Sequence, residues 1–353
     1  MTIEISFMKL SGFVFGALLI ALCAFVNVPT HAEGGETKIP YGEGHRYIEF
    51  RNDNDFWIPY GTDRYYTNGL FAKVIYPGEG PWWPGFMDDV LAVGGGCGKE
   101  GEGCAYKSRG YGINQFIFTP RDIAATDFQP ADHPYAGYLS VSALYHADMI
   151  DTGGCTQFGD CVLNEFEAQL GVIGEASLAK KTQIWWHTQV LHIERPNGWE
   201  HQLKNDVGGL LRMKRAWPVR QDIAGLTLEL APYAEAAAGN LAVYGQGGAQ
   251  VKLTTDANDE PGRGAWARSK PISWQVFAGA SAKAVALNHF ITGNTRTTEN
   301  TLSIKNFVGE VEVGGALRFG FVRTSLTIVA RSKEFPGQDL GHLYGIARLG
   351  FVY

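Results

Sequence analysis

The chain has 353 residues, of which 12% are aromatic and 19% are charged, and its formal net charge is −6. This composition excludes a disordered chain, which would contain fewer aromatic and more charged residues. The mild negative charge argues against a nucleic-acid-binding protein, because such proteins are normally basic.

The N-terminal segment is typical of an export signal. Residues 12–26 form an apolar core that is too short to span a bilayer comfortably, and residues 30–32, Thr-His-Ala, fit a small-residue cleavage site. We therefore predict a signal peptide over residues 1–32 and a single mature domain over residues 33–353. No later run reaches the roughly 18 apolar residues of a membrane helix. An exported chain of this kind is either a soluble protein or a β-barrel.

Four cysteines remain after the signal, in two close pairs, Cys97/Cys104 and Cys155/Cys161. In an oxidising compartment this spacing favours two local disulfides. A metal site is the alternative, although no histidine accompanies these cysteines at the spacing of a zinc site.

Alternation of apolar and polar residues favours the barrel. Apolar residues alternate with Glu165, Glu167, Gln169 and Gly171 in residues 165–172, and with Glu310, Glu312 and Arg318 in residues 307–319. Residues 343–353 follow the same pattern and end with Tyr353, as the last strand of an outer-membrane barrel does. In such a barrel the apolar face meets lipid and the polar face lines the lumen. An exported β-sandwich is the alternative.

Twelve strands can be placed on this pattern. They are predicted at residues 45–52, 65–76, 111–119, 137–148, 163–173, 206–217, 225–236, 246–254, 271–286, 305–318, 323–334 and 342–353. An even number puts both termini in the periplasm, so the connections that follow the odd-numbered strands face outward. The predicted fold class is therefore all-β, a transmembrane antiparallel up-and-down β-barrel of about 12 strands.

One outward connection contains a predicted short helix. Nothing breaks a helix over residues 176–194, and Pro196-Asn197-Gly198 then ends it. Gln183 and His187 are four residues apart and therefore share one face. A packed surface helix whose histidine only donates or accepts a hydrogen bond is the alternative.

Polar residues of three other outward segments accompany this helix. These segments are residues 52–56, 62–69 and 132–138. Their carboxylates, amides and hydroxyl would supply oxygen ligands for a hard cation, and the imidazole of His187 is a candidate general base. Each segment taken alone could equally be a polar turn or part of an aromatic belt.

The chain resembles the outer-membrane lipid A 3'-O-deacylases, and the matching motifs run through nearly the whole mature chain. They are Asn54-Asp55-Phe56, Thr62-Asp63-Arg64-Tyr65-Tyr66-Thr67-Asn68-Gly69, Phe118-Thr119-Pro120, Pro134-Tyr135-Ala136-Gly137, Gly171-Val172-Ile173-Gly174 with Gln183 and His187, Gly198-Trp199-x-x-Gln202-Leu203, Gly239-Asn240 and Arg331-x-Lys333-Glu334-Phe335.

This resemblance implies an activity and a set of site residues. The implied site lies between the barrel wall and the loop helix, where the ester-linked 3' acyloxyacyl group of lipid A is hydrolysed with calcium. His187 would be the general base, and Asn54, Asp55 and Thr67 would lie opposite it, with Asp55 contacting Ca²⁺ directly. Gln183 would orient the site. The expected protein is a monomer whose partners are lipopolysaccharide and the lipids of the outer membrane.

One departure from the family and two alternative functions stay open. The family usually has Arg before its Pro-Tyr-Ala-Gly motif, whereas this chain has His133, which weakens any prediction that this position binds a phosphate of lipid A. A barrel phospholipase of the Ser-His-Asn type is an alternative enzyme, but the sequence contains no His-x-Ser-Asn-Gly run. The non-enzymatic alternative is a porin or a barrel that only binds lipopolysaccharide.

Overall fold

The computed structural model describes residues 46–58, 64–78, 104–150, 155–260, 263, 270–294, 296 and 302–352. The predicted signal peptide and Cys97 lie outside the described residues, so the Cys97–Cys104 pairing stays a prediction. The second predicted disulfide, Cys155–Cys161, is present. No helix within the described ranges is long and apolar enough to cross a membrane.

The described residues form thirteen β-strands and two α-helices. The strands are β1 (Tyr47–Asn54), β2 (Tyr65–Pro77), β3 (Cys104–Thr119), β4 (Ala136–Ile150), β5 (Cys161–Ile173), β6 (Asp206–Ala216), β7 (Val219–Ile223), β8 (Leu226–Gly239), β9 (Ala242–Thr254), β10 (Ile272–Asn288), β11 (Phe307–Phe319), β12 (Val322–Arg331) and β13 (His342–Val352), and the helices are α1 (Ala179–Trp185) and α2 (His289–Thr292).

The sheet closes into a barrel of twelve strands, which confirms the predicted fold class. Strands that are consecutive in sequence are antiparallel neighbours, and closure comes from β1 pairing with β13 and β6 pairing with β8. The thirteenth strand, β7, continues β6, because the register in which Ala216 pairs with Tyr233 runs on to Val219 paired with Leu230. Pro218, which has no N–H to donate, interrupts the strand between them.

The two faces of the wall differ as the alternation predicts. On the outside, Ile113, Val141 and Leu170 are each about 60% exposed, as side chains that face lipid are. On the inside, Arg212 contacts Glu167 at 2.8 Å and Glu235 at 3.2 Å across neighbouring strands. The charges between the apolar positions therefore line the lumen, where they pair with one another.

All twelve predicted strands are present, and β3 differs most from its prediction. It begins at Cys104 rather than at residue 111, because the alternation is hidden there by the polar run Lys107-Ser108-Arg109. Ser108 and Arg109 are both buried, and Arg109 donates a hydrogen bond to the carbonyl of Gly78. Neighbouring strands satisfy these polar side chains, which local sequence pattern does not reveal.

Aromatic side chains fill the lumen at the end of the barrel that carries α2, which we call the outer rim. Phe290 of α2 stacks on Phe118 of β3 with ring centroids 4.6 Å apart, and Tyr66 lies 5.4 Å from Phe118. Tyr344 contacts Tyr66 edge-to-face at 5.3 Å, and Tyr138 lies 6.1 Å from Phe290. We call these five side chains the aromatic plug. They close the outer end of a polar cavity inside the lumen.

The aromatic plug leads to a prediction for conductance. Purified wild-type protein in planar bilayers should show no steady open-channel current, because packed rings exclude water at the outer rim. The double variant Phe118→Ala, Phe290→Ala should show a current, provided that its heat-dependent gel mobility confirms a folded barrel. A steady current through the wild type would contradict the closed lumen and favour a porin.

Candidate active site

A row of residues crosses four neighbouring strands near the outer rim. Asn54 of β1 pairs in register with Asn68 of β2, Asn68 pairs with Ile117 of β3, and Ile117 pairs with Gly137 of β4. Adjacent strands lie about 4.8 Å apart, so Ile117 is roughly 10 Å from Asn54 along this row. Three segments that are distant in sequence are thereby brought to one patch of wall.

A β-bulge places Thr67 in this patch. The register of β2 against β3 shifts between Tyr66 and Asn68, so Thr67 is the extra residue of the bulge. Its hydroxyl lies 2.5 Å from the hydroxyl of Thr119, and both side chains are almost fully buried. Bulges commonly re-aim a side chain next to functional sites. Thr119 belongs to the Phe-Thr-Pro motif, but the sequence gives no reason to assign it this contact.

The end of β1 adds amide and carboxylate groups beside Thr67. The side chain of Asn54 accepts a hydrogen bond from the backbone N–H of Phe56 at 2.7 Å and so caps a short 3-10 helix, Asp55–Trp57. Asn52 donates to the side chain of Asn68 at 3.1 Å and accepts from the indole of Trp57 at 2.8 Å. Asp55 is only 3% exposed. Burying a carboxylate is costly unless hydrogen bonds or a positive charge compensate it.

The predicted helix lies against the outside of β3 and β4. Gly137 makes this approach possible, because a Cβ at residue 137 would collide with the side chains of Ser177 and Ala179. Gln115 of β3 donates a hydrogen bond to the carbonyl of Ser177 at 2.7 Å, and Ile117 packs against Ala179. These contacts hold the helix beside Asn54, Asp55 and Thr67, which we call the polar patch. The helix lies on the face of the wall that elsewhere meets lipid.

The helix is present, but it is not the continuous α-helix predicted over residues 176–194. A 3-10 turn, Gly174–Ser177, is followed by Leu178 in the left-handed conformation with φ of 61°. Helix α1 begins after it, and a π-helix continues the chain over Trp186–Leu191. Turns with π geometry frequently occur at functional sites, and this one contains His187.

One stripe of the helix faces the wall. Ala179, Gln183 and His187 follow one another at four-residue intervals and are 1%, 3% and 2% exposed. On the other side, Trp185 is 55% exposed. The sequence pattern therefore identified the face that Gln183 and His187 share, and it is the buried face.

A hydrogen bond sets the tautomer of His187. Its Nδ1 lies 2.6 Å from the backbone carbonyl of Glu194. A carbonyl oxygen only accepts, so Nδ1 carries the proton and, in the neutral ring, Nε2 carries the lone pair. The imidazole is thus held with Nε2 as its basic nitrogen.

Trp199 orients Gln183, and sequence reasoning missed this role. The indole N–H of Trp199 donates to the side-chain carbonyl of Gln183 at 2.8 Å, and the indole packs on Tyr135 with centroids 4.9 Å apart. The amide nitrogen of Gln183 is buried and has no hydrogen-bond partner among the described residues. A buried donor without a partner costs about 1–3 kcal/mol. Such a donor in a polar patch is placed to bind a substrate oxygen.

His192 lies at the end of the π-helix, outside the buried stripe. It is the C-cap, in the left-handed conformation with φ of 52°. Its ring is exposed, and Nδ1 lies 3.1 Å from the carbonyl of Thr188. A continuous α-helix would also turn it away from His187, by about 140°, but the π-helix ends that period before residue 192.

His133 is part of the packing at the outer rim. It is 3% exposed, stacks on Phe118 at 5.4 Å and has Nδ1 2.8 Å from the carbonyl of Pro134. Burial lowers the pKa of His133 below the ordinary value for histidine. Burial therefore favours the neutral ring, and a neutral ring would attract a phosphate less than the arginine that the family usually has at this position.

The donor set of the patch suits one kind of metal. No cluster of three or more His, Cys, Asp or Glu side chains is arranged for a metal ion in the described part of the chain. The patch instead offers one buried carboxylate, from Asp55, among amide and hydroxyl oxygens of Asn54 and Thr67. Calcium accepts such mixed oxygen ligands, whereas zinc prefers His and Cys. The residues therefore fit a calcium ion better than a transition metal.

Comparisons with known proteins identify the family of this chain. Residues 18–353 match the model of a protein family described as "Outer membrane protein LpxR". The solved structure of LpxR from Salmonella typhimurium is similar to this chain with a TM-score of 0.68 and 20% identity, over 86% of this chain and 99% of that one. No curated protein matches the chain in sequence.

Other solved barrels are less similar. The β-domain of the Bordetella autotransporter BrkA has a TM-score of 0.39 and 8% identity, over 88% of this chain and 97% of that one. The translocator domain of NalP from Neisseria meningitidis has a TM-score of 0.35 and 11% identity, over 99% of both chains. The family match covers nearly the whole chain and confirms the resemblance found in the motifs. The chain therefore belongs to the LpxR family of outer membrane proteins.

Proposed function

We propose that this protein is a calcium-dependent esterase that hydrolyses the 3'-O-linked acyloxyacyl group of lipid A in the outer leaflet. The observation that carries the proposal is the orientation of His187. Its Nδ1–H is held by the Glu194 carbonyl, which leaves Nε2 as the basic nitrogen on a buried helix stripe. That helix is seated beside the polar patch on the outside of the wall.

The position of this patch suits a lipid substrate. An ester inside the outer leaflet can reach a site on the outer surface of the wall near the outer rim without entering the lumen. The helical segment exposes Trp185 at 55%, and Leu178 before it and Ile193 after it are exposed at 45% and 41%. Apolar side chains on the exposed face of a helix beside the membrane favour its immersion among acyl chains.

The side chains support hydrolysis by activated water. His187 Nε2 takes a proton from a water molecule, whose oxygen attacks the ester carbonyl. The bond from the carbonyl carbon to the 3'-oxygen then breaks, and the imidazolium returns the proton to the departing oxygen, which leaves a fatty acid and a free 3'-hydroxyl. The amide N–H of Gln183, held by Trp199, donates to the developing oxyanion.

Asp55 would hold the calcium ion, with oxygens of Asn54 and Thr67 completing the protein's share of the ligands. When bound, calcium supplies Lewis-acid polarisation of the ester carbonyl, which is worth several kcal/mol in enzymes of this kind. The hydroxyl of Thr119 positions Thr67 through its 2.5 Å contact. Asn54 owes its orientation to the capping bond with Phe56.

A porin function receives less support, because the aromatic plug fills the outer end of the lumen. The polar groups that the sequence predicted for the site also lie on the lipid-facing side of the wall rather than in the lumen.

The first prediction concerns the general base. His187→Ala should lower the rate of lipid A deacylation by at least about 10²-fold, because no other group on the buried stripe can take the proton from water. Mass spectrometry of lipid A from cells that express each variant measures the product. Heat-dependent gel mobility should be unchanged, since the helix contributes no hydrogen bond to the barrel ladder.

The matched control for this experiment is His192→Ala. His192 lies on the same segment but is exposed and outside the stripe, so this variant should deacylate as the wild type does. Normal deacylation by His187→Ala would refute the assignment of the base.

A second prediction concerns the metal. Excess chelator should abolish deacylation and added Ca²⁺ should restore it, while Asp55→Asn should need a higher Ca²⁺ concentration for half-maximal rate, because calcium prefers charged carboxylate ligands. A calcium titration of the rate of each purified protein measures this. Asp132→Asn removes a carboxylate from the outer rim without touching the patch, and it should keep the wild-type calcium dependence. Full activity in chelator would exclude the metal.

A third prediction separates orientation from packing. Trp199→Phe keeps an aromatic ring on Tyr135 but removes the N–H that holds Gln183, so the rate constant should fall by roughly tenfold with the substrate KM little changed. Kinetics on purified lipid A measure both parameters. Trp185→Phe, on the exposed side of the helix, is the control. An equal loss in both variants would mean that packing, rather than the hydrogen bond, causes the effect.

A further inference from the structure

A second group of polar residues lies on the inner face of the barrel wall, whereas the polar patch described above lies on the outer face. A cavity of about 700 Å³ lies inside the barrel, and its lining includes Arg51, Arg323, Ser325 and Arg348. Arg348 of β13 pairs in register with Arg51 of β1 on one side and with Ser325 of β12 on the other. Two arginine residues that line the same cavity therefore occupy directly paired positions on neighbouring strands, an arrangement that like charges normally disfavour.

Arg51 has its own counter-ion, whereas Arg348 has none within salt-bridge distance among the described residues. The carboxylate of Asp53 accepts two hydrogen bonds from Arg51, at 2.6 and 2.5 Å. On the same strand, Glu49 is engaged by Lys73 at 2.9 Å and by the hydroxyl of Tyr47 at 2.7 Å. Within the described ranges no carboxylate lies within 4.0 Å of the Arg348 guanidinium. Arg348 is thus one positive charge in excess on this part of the wall.

The neighbouring strand β12, Val322–Arg331, has no acidic residue that could supply the missing negative charge. Arg323 is nearest to Asp259, at 3.4 Å, and Asp259 also lies 3.8 Å from Arg318. One carboxylate is therefore shared by two arginines. The region around Arg348 remains positive although the whole chain has a formal charge of −6.

A buried hydroxyl provides an independent sign of a missing ligand. Ser325 is 7% exposed, and its Oγ has no hydrogen-bond partner in the described residues. It lines the same cavity and is the direct cross-strand neighbour of Arg348. Buried polar side chains nearly always have a partner, so an unsatisfied hydroxyl beside an excess guanidinium points to an acceptor that both can bind.

We propose that Arg348, Arg51 and Ser325 form an oxyanion-binding site in the lumen that takes a phosphate-sized anion from the aqueous phase. The planar fork of a guanidinium matches the oxygens of a tetrahedral oxyanion, and the serine hydroxyl adds one donor. The barrel wall separates the site from the bilayer, so the ligand is a free anion and not a lipid headgroup. This site does not depend on the proposed deacylation.

Equilibrium dialysis with radiolabelled inorganic phosphate, on the full-length protein in detergent, tests the proposal. Wild-type protein should bind one phosphate per chain in a saturable manner, and Arg348→Gln should bind at least about tenfold more weakly, since one charge-assisted pair is lost. Ser325→Ala should weaken binding to a smaller extent. Lys305→Gln removes a positive charge from an exposed position and should bind as the wild type does.

One further variant separates the charge of Arg348 from its shape. Arg348→Lys keeps the charge but not the fork, so it should bind more weakly than the wild type and more tightly than Arg348→Gln. Heat-dependent gel mobility verifies the barrel of each variant, and Ser325→Ala supplies the test if a variant at residue 348 does not fold. Non-saturable binding, or equal binding by the wild type and the variants, would overturn the proposal.

Discussion

The close approach of a helix to the outside of the barrel wall is the contact on which the site depends. The helical segment can approach the barrel wall this closely only at a residue that has no side chain, and Gly137 is that residue. Because Gly137 has no Cβ, Ser177 and Ala179 reach the wall, and Gln115 and Ile117 hold them there. The stripe that continues from Ala179 then carries Gln183 and His187 into a buried space. A larger residue at 137 would separate His187 from the polar patch.

Strand β1 carries two different kinds of polar chemistry on its two faces. Asn52 and Asn54 belong to the outer patch, while Arg51 and Asp53 between them belong to the lumen. The lumenal pair also binds Tyr66 of the aromatic plug, whose hydroxyl donates to Asp53 at 2.9 Å. Side chains alternate between the two faces of β1. The ionic contacts inside the barrel therefore stabilise the same stretch of backbone from which Asn52 and Asn54 point outward.

The barrel was predictable from the sequence because its signal is repeated in every strand. A period-two pattern can still be recognised when a strand end is misplaced by a few residues. Strand β3 differs most from its predicted range, because Lys107, Ser108 and Arg109 hide the alternation at its start. The site residues were predictable only in part. Four-residue spacing placed Gln183 and His187 on one face, but it could not indicate the π-helix, which changes the period at Trp186.

The contacts that orient the site were beyond sequence reasoning because they join distant segments. Thr67 depends on a bulge and on Thr119, which lies 52 residues away in sequence. Gln183 depends on Trp199, whose position is set by Tyr135 on another loop. Each of these residues stands within a recognisable motif, yet a motif indicates that a residue matters and does not identify its partner.

Burial on the lipid side of the wall makes these few contacts more effective. A hydrogen bond is electrostatically stronger where water is excluded, so the bond from His187 to the Glu194 carbonyl fixes the ring more firmly than it would on an exposed loop. The same exclusion raises the cost of leaving the Gln183 amide without a partner. A polar substrate atom that enters the space between helix and wall relieves this cost, whereas an acyl chain does not. For the proposed lipid A substrate, this space would therefore favour the ester group over the hydrocarbon that surrounds it.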